Sequence, residues 1–479
     1  MNQVKTPLYD ALVNHLNKNP FSFHVPGHKS GKVFHEKALE LYSNFLKMDV
    51  TELSGLDDLH SPEGPISEAQ LLLADLYHVE QSFFLINGST VGNLAMVMSS
   101  CHENDIVFVQ RNCHKSIMNA LKLAKATPIF LEPEFDCVWN VAAGVHPSTV
   151  KEAFEFNPEV KAIILTHPNY YGIVNDIEKI ISFAHMHNIP VLVDEAHGPH
   201  FILGGLFPSS AVQLGADMVV QSAHKTLPAM TMGSYLHFNS KRINLNKVKD
   251  YLHLFQSSSP SYPIMASLDL ARSYLATYTL RDMNFLQQEI EKFKLSLSKI
   301  RGIKILQYPN QGDPLKITIQ STTGVSGFAL QKSLEDNGIY TELADPYNVL
   351  FVYPLLKDKQ AYPIKVVVER IKRAIEEIPS EPIRKGTVSI PTNKISRLSV
   401  SYRDMEQLGV VEIPISECVD KVAAETIIPY PPGIPLLLAG EKISKQIADH
   451  LKRLIKHGAR FQGGLELAKG NVKIFKLPK

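Results

Sequence analysis

Cysteine is scarce in this sequence, with 4 residues among 479. Cys101, Cys113, Cys137 and Cys418 form no CxxC pair and keep no even spacing, which excludes a disulfide framework and suits a reducing cytoplasm. An excess of one charge sign is also missing. Lys and Arg number 49 against 48 Asp and Glu, a net charge of +1, so nothing steers the whole molecule toward nucleic acid or anionic lipid. No uninterrupted apolar run approaches a membrane span, and the opening "MNQVKTPLYD" lacks the apolar stretch of a signal peptide. There is no internal repeat and no low-complexity tract. A soluble, cytoplasmic protein is expected, with neither nucleic acid nor membrane as partner.

Core material is present in ordinary amounts: 44% of residues are hydrophobic and 20% charged. The length suits one very large domain or two to three ordinary ones. Residues 1–60, with "FSFHVPGHKSGK" and "ELSGLDDLHSPEGPIS", are rich in Pro, Gly, Ser and His and read as an extended N-terminal arm. From 61 to 283 short β-rich runs ("QSFFLI", "DIVFVQ", "VKAIILT", "IPVLVD", "ADMVVQ") alternate with helical patterns. Such alternation predicts a mostly parallel sheet covered on both faces. A second, smaller α/β pattern occupies 284–379, and a Pro- and Lys-containing linker follows at 380–394. Beyond it, 395–479 reads as a small packed unit in which Ile443, Ile447, Leu451, Leu454 and Ile455 make one apolar helix face.

The chemistry-bearing residues sit at the ends of the apolar runs. In an open α/β sheet, ligands bind beyond the carboxyl ends of strands. "VVQSAHKTL" places Lys225 there, and a lysine amine kept neutral by burial can form a Schiff base. "VLVDEAHG" places Asp194 at another strand end, where a carboxylate can hold a pyridinium nitrogen protonated, as pyridoxal phosphate requires. "INGSTVGN" puts Ser89 and Thr90 between a strand and a helix, a place for a phosphate, with Ser222 and His224 near enough to join them. "QRNCHKS" adds His114, whose flat ring suits stacking on the cofactor. Singly, each has a plainer reading: a surface lysine, a capped helix, a salt-bridge carboxylate, a capping histidine. Together they are parts of one cofactor site. No metal site is expected, since Pro26 and Gly27 prevent the helix that would align His24 with His28.

These stretches, with "FHVPGHKSG", "GLDDLHSPEGPI", "SSSPSYPIMASLD" and "YPPGIPLLLAGE", resemble in order the Orn/Lys/Arg decarboxylases in a short form lacking the N-terminal wing domain. The resemblance implies the pyridoxal-phosphate-dependent transferase fold (fold type I), with a large α/β domain, a smaller α/β domain and a small C-terminal α+β domain. It matches Lys225 to the lysine that holds the cofactor, Asp194 to the partner of the ring nitrogen, and Ala196 to the small residue packed on the ring. His114 matches the histidine on the opposite face, and Ser89, Thr90, Ser222 and His224 match the phosphate-binding groups. His197 is counted with the cofactor-binding residues. Ser258 falls where the family usually has a threonine reaching the phosphate in the neighbouring subunit, so a homodimer or higher assembly is implied. The sequence departs from the family at Ala439, where proline is common, and at Asp420-Lys421, where Gly-Arg is usual.

The implied activity is α-decarboxylation of a basic L-amino acid to the amine and carbon dioxide, in polyamine biosynthesis. Arginine is the first choice of substrate, then lysine or ornithine. Either Lys225 or a neighbouring histidine returns the proton to Cα. The alternatives are an aminotransferase or aldolase of the same fold, and a catalytically silent relative with a regulatory role.

Overall fold

The structure, a computed structural model, describes residues 1–308, 310–378, 394–429, 435–456 and 461–478. The expected linker lies outside the described residues except for Lys394, as does the "YPPG" of 430–433. The chain divides into two compact units, Met1–Ser100 with Ala184–Leu280, and Cys101–Phe183 with Arg281–Lys479.

In the first unit four strands run in the order Gln81–Leu85, Ser234–Phe238, Met218–Gln221, Val191–Asp194. The last two are parallel, with Asp194 opposite Val220, and the other two pairs are antiparallel. The Val191, Met218 and Ser234 strands are buried along their whole length, and the parallel first two, VLVD and MVVQ, read as apolar up to their last residue. The Gly88–Ser100 helix lies tightly on this sheet. A Cβ at Gly92 would come within 2.6 Å of Leu85 and 2.9 Å of Val220, so glycine sets that distance.

The N-terminal segment holds two helices, Pro7–Asn17 and Glu36–Met48, where an extended arm is expected from the sequence. The first is docked by a fully buried ion pair. Asp269 accepts the Leu8 N–H at 3.0 Å, and Arg272 donates to Gln3 O at 2.9 Å and to Lys5 O. The "GLDDLHSPEGPI" stretch is organised by Asp57, whose carboxylate accepts the N–H groups of Gly64, Ile66 and Ser67 at the start of the Pro65–Tyr77 helix. Burial alone would raise the Asp57 carboxyl; the backbone N–H groups of Glu63, Ser67, Asp58 and Gly64 outweigh it and hold it below its ordinary value.

In the second unit Ala162–Thr166, Ile106–Gln110 and Thr127–Leu131 are parallel neighbours in that order, and Ile395–Arg397 adds antiparallel to the last. A smaller antiparallel sheet follows the order Ile303–Ile305, Lys316–Ser321, Asn348–Val352, Leu343–Ala344, flanked by the Gly327–Asp336 and Ile364–Glu376 helices. The C-terminal part is α+β: Val410–Pro414 pairs antiparallel with Asn471–Phe475, and the Lys445–Lys456 helix packs with them around Ile427, Leu437, Leu451 and Ile474. Ile443 is buried in that core but precedes the helix instead of lying on its face.

Candidate active site

Asp194 ends its strand with a side chain fully removed from solvent, at 3% exposure, and both carboxylate oxygens are held. Asn93 Nδ2 donates to Oδ2 at 2.9 Å, and the Ala196 N–H donates to Oδ1 at 3.2 Å. Asn93 belongs to the quoted "NGSTVGN" but carries no role in the sequence reading. Its place one helical turn after Ser89, on the same face, is the signal that would have found it.

One strand over, the turn after Gln221 starts a short helix, Ala223–Thr226, that carries Lys225. Lys225 Nζ lies 3.0 Å from His197 Nε2, so these two expected cofactor residues meet directly. Ser222 donates its N–H to Ala196 O at 3.3 Å, tying the two strand ends together. Its hydroxyl is completely buried and has no hydrogen-bond partner among the described residues. A buried hydroxyl without a partner costs free energy unless a ligand satisfies it. His224 Nδ1 is 3.0 Å from Gly233 O; the carbonyl can only accept, so Nδ1 carries the hydrogen.

The Gly88–Ser100 helix begins beside this turn. Gly88 has φ +77, donates to Met232 O at 2.9 Å, and has open space where a Cβ would stand. The N–H groups that follow, at Ser89 and Thr90, have no intrahelical acceptor. An open helix start, two hydroxyls and the partnerless Ser222 form a donor set that fits a phosphate, and the buried Asp194 fits a protonated ring nitrogen. The residues present therefore suit pyridoxal phosphate.

A polar chain runs away from the site. Glu195, fully buried, accepts from Ser210 Oγ at 2.7 Å, from Ala211 N–H at 2.6 Å and from Gln221 Nε2 at 2.6 Å. Gln221 Oε1 lies 3.1 Å from His237 Nε2, and His237 Nδ1 lies 2.8 Å from Ser82 Oγ. The donors all point toward Glu195. Burial pushes its carboxyl up to about 8 against them, and burial pushes His237 down to about 3.

Two expected residues remain, His114 and Ser258. His114 belongs to the second unit and caps the Lys115–Ala124 helix, its Nδ1 accepting the Ser116 N–H at 3.2 Å. Ser258 is exposed, in a loop whose Ser257 N–H donates to Asn87 Oδ1 at 3.2 Å.

The description "Orn/Lys/Arg decarboxylase, major domain" matches residues 6–311, and "Orn/Lys/Arg decarboxylase, C-terminal domain" matches 390–472. The chain belongs to the Orn/Lys/Arg decarboxylase family. It is an amino-acid decarboxylase of the pyridoxal-phosphate-dependent class, and its fold is fold type I. Within the family it is 46% identical to the Bacillus subtilis protein YaaO, over 98% of this chain and 99% of that one. It is 31% identical to a Bacillus subtilis arginine decarboxylase, over 100% of this chain and 99% of the other. The lysine decarboxylase of Francisella novicida shares the fold at a TM-score of 0.79 and 21% identity, covering 99% of this chain and 81% of that one. No helix among the described residues is long and apolar enough to cross a membrane.

Proposed function

We propose that this decarboxylase acts on a basic L-amino acid, arginine first and lysine or ornithine after it, releasing carbon dioxide and a product amine that serves polyamine biosynthesis. Pyridoxal phosphate, when bound, supplies the carbonyl that captures the substrate amine and the electron sink for the departing carboxylate's electrons. Lys225 anchors it, Ser89, Thr90, Ser222 and His224 hold its phosphate, Ala196 and His114 pack on its ring, and Asp194 keeps a proton on its ring nitrogen. Family relatives named arginine decarboxylase support the substrate order.

The observation that carries this reading is the Lys225–His197 contact at 3.0 Å, beside the doubly held Asp194 and the partnerless Ser222 hydroxyl. Once substrate has displaced the lysine, His197 takes or returns a proton at Lys225 Nζ, so that amine can deliver one to Cα. Borohydride reduction of the loaded protein followed by peptide mapping tests the anchor. The label is expected on Lys225, and a label on another lysine overturns the assignment.

We further propose a homodimer. Phe21, Phe23 and Leu41 of the N-terminal segment are 82%, 95% and 85% exposed, an apolar surface that a second copy would cover. Ser258 is proposed to reach the neighbour's phosphate.

A further inference from the structure

The motifs "RNCHKS" and "LLLAGE" are far apart in sequence, yet they meet in one side-chain cluster within the second unit. Arg111 follows the Ile106–Gln110 strand, and its N–H donates to Leu131 O at 2.9 Å. Its guanidinium is buried, with the side chain 7% exposed. Glu441, equally buried, accepts from it at both oxygens, from Nη1 to Oε1 at 2.5 Å and from Nη2 to Oε2 at 2.8 Å. Nη2 also donates to Leu436 O at 3.3 Å, Nη1 to Ser396 Oγ at 3.2 Å, and Nε lies 3.7 Å from Glu132. Glu441 Oε2 in turn takes the Leu438 N–H at 2.9 Å, which fixes the carboxylate within its own loop.

Arg111 is three residues from His114, and the intervening turn has little slack. Asn112 Nδ2 donates to Ala143 O at 3.1 Å and its Oδ1 accepts from Gln110 Nε2 at 2.9 Å. Cys113 is buried, its N–H donating to Gln110 O at 3.2 Å, and His114 is tied to Ser116 by its Nδ1. The clamped guanidinium and the His114 ring are thus the two ends of one short, hydrogen-bonded turn. Without the Glu441 charge the buried cation keeps the longer carboxylate contact, to Glu132 at 3.7 Å from Nε.

We propose that Glu441 is a positioning residue for His114, acting through Arg111, and that this is how the C-terminal domain serves the reaction. The proposal rests on the reading that His114 packs on the cofactor ring. It assigns the acidic end of "LLLAGE" a task in the active site that is exerted through another side chain.

The test uses the full-length protein with Glu441→Gln, His114→Ala and the double variant. In the cofactor-free protein, Glu441→Gln is expected to speed amide exchange at Cys113 to Ile117 while the Asn471–Phe475 strand stays protected. Titration with pyridoxal phosphate, followed by the visible absorbance of the bound cofactor, should show Glu441→Gln weakening binding about tenfold, the lower end of what lost outer partners of metal ligands cost. The double variant should bind no more weakly than His114→Ala alone, because both changes remove the same contact. Additive losses, or unchanged exchange at Cys113 to Ile117, overturn the positioning role. If His114→Ala leaves affinity and absorbance untouched, the His114 reading fails, and the exchange result still decides the clamp. Should Glu441→Gln expose the Asn471–Phe475 strand, Ser396→Ala replaces it, with a smaller change of the same kind expected and none overturning the proposal.

Discussion

Among single residues, the tasks proposed for Lys225 and Asp194 are separable. Lys225→Ala is expected to abolish the visible absorbance of the bound cofactor and to lower turnover on the order of a thousandfold or more. Asp194→Asn keeps the phosphate contacts, so it should retain cofactor while losing about a hundredfold or more in turnover, the scale for a lost electrostatic stabiliser. Wild-type turnover in Asp194→Asn would refute the ring-nitrogen role. The positions of both residues, at or just after strand ends, are legible in the apolar runs that precede them. The contact of His197 with Lys225, and of Asn93 with Asp194, was not readable, because each joins residues that only the folded chain brings together.

His237 adds a pH dependence at the same scale. Burial depresses its folded-state pKa from 6.5 to about 3, so the unfolded chain gains a proton below about 6.5 that the folded chain refuses. Its contribution to stability is complete above 6.5 and is lost as pH falls toward 3, at up to about 1.4 kcal/mol per pH unit. Urea unfolding between neutral and mildly acidic pH should therefore be less pH-dependent in His237→Gln than in the wild type. Equal slopes would contradict the buried neutral ring.

At the scale of elements, the Gly88–Ser100 helix shows how one glycine sets a distance. Gly92→Ala must push its methyl against Leu85 and Val220, and a loss of about 1–3 kcal/mol is expected in urea unfolding. The strands and helices from 65 onward follow the apolar periodicity closely, since burial on both sheet faces leaves a clear pattern. The N-terminal helices do not. Pro7–Asn17 is short and docks through a buried ion pair, and Glu36–Met48 leaves Leu41, Tyr42 and Phe45 exposed while burying Leu46 alone. Glu36–Met48 presents no buried stripe by which a helix is recognised, and Pro7–Asn17 presents only the short one of Leu8 and Leu12. The family departures also find local reasons. Asp420 takes a left-handed φ of +66 where glycine is usual, a conformation Asp tolerates, and the Ala439 N–H that proline would lack donates to Thr426 Oγ1 at 3.1 Å.

For the whole molecule, shared sites in a dimer make a specific prediction. Mixing inactive Lys225→Ala protein with an inactive Ser257→Ala, Ser258→Ala double variant should restore some activity after subunit exchange, because one site of the mixed dimer then carries neither defect. The Ser258 loop is also tied to Asn87 of its own chain, so a contact with its own Ser89 and Thr90 is the competing arrangement, and it leaves the mixture inactive. The central claim is the reaction itself. Its most direct measurement is product analysis of the purified, cofactor-loaded protein with arginine, lysine and ornithine in turn. Carbon dioxide and the matching amine are predicted in equal amounts, fastest from arginine. A keto acid without carbon dioxide, or no product from any of the three, would contradict the account.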